Sequence, residues 1–484
     1  MAATKSSKMY WIHIAIYLII TFGVGFIPPF AQITELGMRV LGIFLGVIYA
    51  WCFIALDWPS ILALCFLTAV GYGEGGDALF LSGWSFQTIP QLILSFILAE
   101  GIAQTQLTNY VADKVLSLKI FKGRPYVLIS GILLTLTVLN ILQCAYAALF
   151  LLWGVAYSIS DRAGFPKKNI FNTIVITSSI AVFVWANFIF PFNPGPLMQI
   201  SFFKQAMPDI ELPFIGWIII WLVFTILYCL LWPLIIKFIF RPDLKAIANI
   251  DLTETYKGET KLRSDQKFCL AVLIGFVIAM FLPQVLPDGW FVTQLFAKLG
   301  LTGCLGIAVA IMAAFKKSDG EHFLSLQSAA KAISWNVIWL LVATEPLAYA
   351  FNAEECGILP SIMTVITPLL TALSPSVFLI ICMVVLGLVT QIVHNLVLIV
   401  VFVPLLVPLY VQMGGNPFVM FLGLIIAMNA AFTTPAASWN SALMFGAENT
   451  ISSKVYLHGF LHFAFSLILF LLIGMPLVNV LMPY

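Results

Sequence analysis

Charge is what this chain has least of. Across 484 residues only 9% are Asp, Glu, Lys or Arg, while 62% are hydrophobic and mean hydropathy is +1.05. That balance excludes a soluble globular protein and leaves no room for a separate soluble domain. Net charge is only +2, which says little about partners, because in a membrane protein the placement of charge matters more than its sum. Cysteine is also sparse for its possible uses. The eight residues (52, 65, 144, 229, 269, 304, 356 and 382) lie mostly inside apolar runs with no close pair, which argues against a metal motif or a disulfide framework. No nucleophile elbow, nucleotide loop or metal-ligand motif is present, so the expectation is not an enzyme, and nothing points to nucleic acid. A signal-peptide reading of the N-terminus fails too. The apolar run Tyr10–Phe30 follows Lys5 and Lys8 but is long and ends Ile-Pro-Pro-Phe without a small-residue cleavage site, so it reads as a retained first span.

What is present is a series of apolar spans near 10–30, 38–56, 59–72, 88–112, 168–203, 212–240, 268–286, 299–315, 334–353, 417–447 and 455–483. Two further stretches, 125–160 and 376–412, have the wrong length for a single crossing. At 36 and 37 residues each would make a straight helix of about 54 Å against a bilayer core of about 30 Å. Two crossings plus a turn would need more residues than either has. A helical hairpin that enters halfway and returns fits, and the polar clusters Asn140…Gln143 and His394-Asn395 fall at the two midpoints. The fold expected is an all-α polytopic membrane protein with about 11 transmembrane helices and two re-entrant helical hairpins.

The basic residues test this arrangement independently. With the N-terminus inside and each hairpin counted as no crossing, the inner segments 1–9, 57–58, 113–124, 161–168, 237–267, 316–333 and 448–455 collect 20 of the 23 Lys and Arg residues. Treating either hairpin as one crossing inverts every later loop and scatters the positive charge. The first hairpin then opens inward and the second outward. The N-terminus is placed in the cytoplasm, and the C-terminus on the extracellular or periplasmic side of a cell membrane.

The two halves look like copies. Trp84 and Trp335 differ by 251 positions, Asn140 and Asn395 by 255, Asn193 and Asn440 by 247. Each copy runs span, hairpin, interrupted span, with an odd number of crossings between equivalent points, so the repeat must be inverted. The division expected is 1–57 as scaffold spans, 58–211 as the first repeat, 212–298 as central spans with a cytoplasmic linker at 241–267, 299–454 as the second repeat, and 455–484 as a final span.

The interrupted spans carry the second set of candidate residues. One reads Trp185-Ala-Asn187-Phe-Ile-Phe-Pro191-Phe-Asn193-Pro194-Gly195-Pro196, and three prolines with a glycine in six residues cannot continue a helix. The other reads Asn429-Ala-Ala-Phe-Thr433-Thr434-Pro435-Ala-Ala-Ser438-Trp439-Asn440-Ser441 and is broken less severely. Carbonyls freed at membrane depth suit Na⁺, and half-helix N-termini suit an anion. An isolated proline kink would only shape packing, but two breaks at matching positions, each beside a hairpin, favour a site. Other polar residues at depth are open to two readings. His394, protonated, could neutralise an anion or carry a coupling proton; neutral, it could simply hydrogen-bond a carbonyl. Glu100 and Glu345, in corresponding spans, could form a proton route or brace a hairpin backbone. His458 and His462 are one turn apart but lack an evident third ligand, so they read as interhelical hydrogen-bonders.

A hairpin with an asparagine tip followed by a span broken at a proline–asparagine stretch, repeated in inverted form, resembles the divalent anion:sodium symporter family of the ion-transporter superfamily. The resemblance runs from Trp58 to the C-terminus in order and spacing. Where that family has Ser-Asn-Thr tips, this chain has Leu139-Asn140-Ile141 and His394-Asn395-Leu396, and its Pro-Pro-Asn stretch is replaced by Asn193-Pro194-Gly195-Pro196 and Ser438-Trp439-Asn440. The resemblance implies a secondary carrier of small carboxylates, working as a homodimer with a fixed scaffold and an elevator-like moving domain. It implies substrate contacts at Asn140 and Asn395, and the polar residues beside the tips and breaks, Gln143, Asn193, His394 and Asn440, join them as candidate substrate contacts. It also implies Na⁺ sites between each tip and its break, at Asn140, Asn193, Pro194 and Gly195 and at Asn395, Thr434, Ser438 and Asn440. The missing tip hydroxyls point to a monocarboxylate, or an anion with an apolar body, rather than a doubly charged one. A proton-coupled carrier or an exchanger on the same fold is the alternative, and an ion channel a further one.

Overall fold

The computed structural model describes residues 7–73, 75–86, 88–105, 120, 123–141, 145–248, 261–287, 289–317, 320–358, 360–361, 364, 373–435, 437–447 and 449–484. Gln143, at the first hairpin tip, and residues 249–260 of the inter-half linker lie outside the described residues.

Among the described residues the chain is helical, with one isolated bridge between Lys316 and His322. Two helices, α1 (Ser7–Gly23) and α2 (Glu35–Phe53), pack on each other ahead of the first repeat. That repeat holds α3 (Trp58–Ala69), α4 (Gly76–Ser85), α5 (Thr88–Ala103), α6 (Pro125–Ile141), α7 (Ala145–Arg162), α8 (Ile170–Ile189) and α9 (Pro194–Ala206). Helices α10 (Phe214–Ile235) and α11 (Ser264–Val285) follow. The second repeat holds α12 (Phe291–Ala314), α13 (Leu326–Ala329), α14 (Trp335–Asn352), α15 (Pro375–Val389), α16 (Asn395–Gln412), α17 (Pro417–Asn429) and α18 (Trp439–Gly446), and α19 (Ser452–Leu469) comes after it.

The contacts repeat along with the order. In each half both hairpin arms pack on the first part of the broken span: α6 and α7 on α8, α15 and α16 on α17. The helix that follows each broken span packs on the same element, α10 on α8 and α19 on α17. Across the halves, α3 packs on α14 as α5 does on α12, and α4 on α14 as α13 does on α5. Contacts thus recur between elements at corresponding places in the two parts of the chain.

The core sits where the repeat puts it. In α17 every residue is buried, and α8 is buried along nearly its whole length. In α8, Thr173, Thr177 and Ser179 donate to nearby carbonyls along the chain, and Trp153 and Trp232 donate to Ser179 and Ser178 at 2.7 and 2.8 Å. By contrast α1 turns Trp11, Ile12, Ile19 and Phe22 outward, and α15 exposes Ile380, Ile381, Val384, Val385 and Leu388. Apolar faces of this kind are stable against lipid.

The spans differ from the sequence expectation in detail. Among the described residues, eight helices are long and apolar enough to cross a membrane, or ten if each of two bent pairs is one span. Segment 59–72 delivers only the 12-residue α3, about 18 Å long, because positive φ at Gly71, Gly73 and Gly75 turns the chain out of the helix. Two short helices were not anticipated: 76–85 meets α5 at 52°, and 326–332 meets α14 at 70°. They stand at matching places in the two halves. Segment 168–203 is divided, as its prolines required, into α8 and α9 on either side of residues 190–193.

Candidate functional site

The second hairpin tip is fixed by its own sequence. Helix α15 ends at Val389, and His394 caps α16, its ring Nδ1 accepting the Leu396 N–H at 3.3 Å. With Nδ1 an acceptor, a neutral ring carries its proton on Nε2. That nitrogen is buried and has no hydrogen-bond partner among the described residues. Beside the ring stands Trp439, edge-on with centroids 6.3 Å apart. His394 is therefore both a helix cap and a spare donor next to an aromatic wall.

Opposite the tip, α17 stops at Asn429 and α18 starts at Trp439, and the described residues between them, 430–435 and 437–438, are not helical. The tip is seated in that gap. Asn395 donates its backbone N–H to the Ala437 carbonyl at 3.1 Å and its side-chain amide to Asn429 Oδ1 at 3.2 Å. Thr434 donates its hydroxyl to the Gln391 carbonyl, and Thr390 donates to Met428 at 2.9 Å. Within the gap, Ser438 donates to the Ala431 carbonyl at 3.1 Å while its hydroxyl oxygen caps α18 at Ser441. Gln391 lies at the centre. Its Oε1 accepts from the N–H groups of Phe432 and Thr433 and from the Thr433 hydroxyl at 3.1, 2.9 and 2.8 Å, and its Nε2 donates to Gly387 and Ala430 carbonyls at 2.7 and 2.9 Å.

The network continues into the other half. Asn429 donates to Gln199 Oε1 at 2.9 Å and accepts from Gln199 Nε2 at 3.3 Å, so tip, break and α9 form one chain of amides. Of the residues expected from sequence, the structure brings together His394, Asn395, Thr434 and Ser438, with Asn440 in the first turn of α18. Sequence reasoning missed Thr390, Gln391, Asn429 and Gln199. The signal for the first two was available, since Thr390-Gln391 sits four residues before the His394-Asn395 pair at the stretch's midpoint.

The first half is built differently. Asn193 stands at the N-cap position of α9 without a capping side-chain bond, with Pro194 and Gly195 in the first turn, and donates its side-chain amide to the carbonyl and side-chain oxygen of Asn187 at 2.9 and 3.1 Å. Gly195 leaves room for that pair: a methyl there would lie 2.9 Å from Asn187 Nδ2. Ser95 and Trp217 donate to the carbonyls of Phe192 and Phe188 at 2.9 and 2.6 Å. Asn140 is 1% exposed, and both ends of its amide lack a partner among the described residues. A buried, uncommitted amide is costly, so a ligand oxygen or cation is what such a group suits.

The acidic and remaining histidine residues separate from these clusters. Glu100 accepts from Gln104 at 3.0 Å on its own helix rather than from a hairpin. Glu345 has one carboxyl oxygen buried without a partner. His462 meets the Tyr228 hydroxyl at 2.7 Å across helices, and no group of three metal-ligating side chains occurs among the described residues.

Comparison with known proteins fits this construction. A comparison with curated proteins finds no match. Among solved structures, the YdaH transporter of Alcanivorax borkumensis, described as having an unusual topology, is similar over 91% of this chain and 99% of its own, at 14% identity and a TM-score of 0.57. That likeness is one of fold. The family model described as the sodium:sulfate symporter transmembrane region matches residues 8–483, and the chain belongs to that family of membrane transporters.

Proposed function

We propose that this protein is a secondary active carrier of small organic anions, carboxylates foremost, that works by alternating access with the two hairpins riding on an elevator-like moving domain. The observation that carries the reading is His394: a capped, oriented ring with a buried spare donor, beside Trp439, at the tip of a hairpin seated in a broken helix. A donor without a formal charge next to an aromatic face suits one carboxylate attached to an apolar body better than sulfate or a dicarboxylate. Asn140, Gln143, Asn193, Asn395 and Asn440 are the other proposed substrate contacts, all amides. Na⁺ is the proposed coupling ion. The uncommitted Asn140 amide, with Asn193, Pro194 and Gly195, is where the first half would hold it. A homodimer built on the spans before Asp57 and near 212–286 is proposed as the fixed scaffold.

Uptake into vesicles under an inward Na⁺ gradient tests this. An aromatic or branched aliphatic monocarboxylate should enter faster than succinate and much faster than sulfate. Sulfate uptake with no carboxylate uptake would overturn it. A second reading, proton coupling or exchange on the same fold, draws on Glu345, whose buried carboxyl oxygen has no partner. It requires uptake that follows a pH gradient and ignores Na⁺.

A further inference from the structure

A helix broken inside a membrane releases carbonyl oxygens that need partners, and a cation is one way to supply them. In the second half the partners are already there. The Met428, Ala430, Ala431, Thr434 and Ala437 carbonyls of the break, and the Gln391 carbonyl of the tip, accept from Thr390, Gln391, Ser438, Ser441, the Asn395 N–H and Thr434 in turn. Hydrogens on these donors lie between the oxygens of tip and break. Their positive ends fill the place a cation would take and repel one that approached.

Gln391 organises this arrangement. Its amide is the group that touches both sides, donating to Ala430 on the break and Gly387 on its own arm while accepting three hydrogen bonds from Phe432 and Thr433. The first half cannot do the same. At the offset that pairs Asn140 with Asn395, Leu136 stands where Gln391 does. At the offset that pairs Asn193 with Asn440, Val182, Ala186 and Pro191 stand for Asn429, Thr433 and Ser438. Thr390 has a counterpart in Thr135, but that hydroxyl turns back to its own helix at Gly131 (2.7 Å) instead of crossing to the break.

We propose that Gln391 takes the place of a coupling cation in the second half. Its amide holds tip to break whether or not Na⁺ is present, and any Na⁺ coupling runs through the first half alone. This departs from a symmetric pair of ion sites and removes Asn395, Thr434, Ser438 and Asn440 from the ion-binding set. It rests on the carrier reading above, but the test does not use transport.

Hydrogen–deuterium exchange of the purified full-length protein is followed at the amides of Asn395, Phe432 and Thr433, in NaCl and in N-methylglucamine chloride at equal ionic strength. The three amides should exchange at the same rate in both salts. Slowing of about tenfold by Na⁺, the worth of one hydrogen bond, would overturn the proposal. Gln391→Leu, the first-half residue, should raise exchange at Phe432 and Thr433 by about tenfold or more in both salts, since each loses its acceptor. Unchanged exchange in that variant would equally overturn it. Gln391→Asn, one methylene shorter, gives the same readout where the leucine variant does not yield folded protein. Absence of uptake for every anion would sink the carrier reading and leave the exchange result standing. Na⁺-dependent protection at these amides would do the reverse.

Discussion

Asn429 and Gln199 exchange two hydrogen bonds, at 2.9 and 3.3 Å, across the boundary between the two halves of the chain. One closes the intact part of the second broken span, the other lies on the helix after the first break, and both are buried. Asn395 attaches to the same pair through Asn429, so three amides from both halves of the chain form one hydrogen-bonded series.

Removing Asn429 leaves the buried Gln199 amide stranded, whereas removing Gln199 leaves Asn429 with Asn395 and the Ile425 carbonyl. Asn429→Ala and Gln199→Ala should each cost about 1–3 kcal/mol, and the double variant should cost clearly less than the sum, because the second substitution removes the group the first left unpaired. Thermal unfolding of the four proteins in detergent checks this; additive losses would show that the two amides do not depend on each other.

Much of this architecture was legible because proline, glycine and length leave marks that do not depend on distant partners. The stretches 125–160 and 376–412 become α6–α7 and α15–α16 within about two residues of the expected ends. Pro191, Pro194 and Pro196 divide the fifth span where the missing N–H groups demand it. The amide network was not legible for the opposite reason: Gln199 and Asn429 are 230 residues apart and look, in isolation, like single polar residues tolerated in apolar helices. The helices at 76–85 and 326–332 escaped notice because each is short and mixed in polarity beside a longer apolar run. Glu100 accepts a hydrogen bond from Gln104, a contact that an i, i+4 spacing could have suggested.

Capping and the proposed substrate contact at His394 can be separated. His394→Asn retains an acceptor for the Leu396 N–H, and asparagine is a good N-cap, so the melting temperature should hold. It loses the buried Nε2 donor, and KM for a carboxylate should rise by about tenfold or more, the worth of a hydrogen bond to a charged group. His394→Ala should lose both. Uptake kinetics beside thermal unfolding make the comparison; an unchanged KM in the asparagine variant would remove His394 from the substrate site.

The second break is held from outside by a close backbone approach. A methyl group at Gly459 on α19 would lie 2.2 Å from the Phe432 carbonyl oxygen. Gly459→Ala should push that helix off the break and destabilise the protein by about 1–3 kcal/mol. Gly446→Ala, at a position with open space, is the control and should be neutral or slightly stabilising. Equal effects would mean that the contact does not constrain the break.

The central claim is a pair of half-depth hairpins that open to opposite sides of the membrane, and labelling by an impermeant maleimide tests it most directly. Cysteines are introduced one at a time at Arg124, Asp161, Ser376 and Gln412, the exposed hairpin ends, in a parent whose eight native cysteines are replaced by serine, Cys65 being the exposed one among the described residues. The account predicts that Arg124→Cys and Asp161→Cys react only from the cytoplasmic face, and that Ser376→Cys and Gln412→Cys react only from the opposite face. Reaction of the two ends of either hairpin from different faces would contradict it.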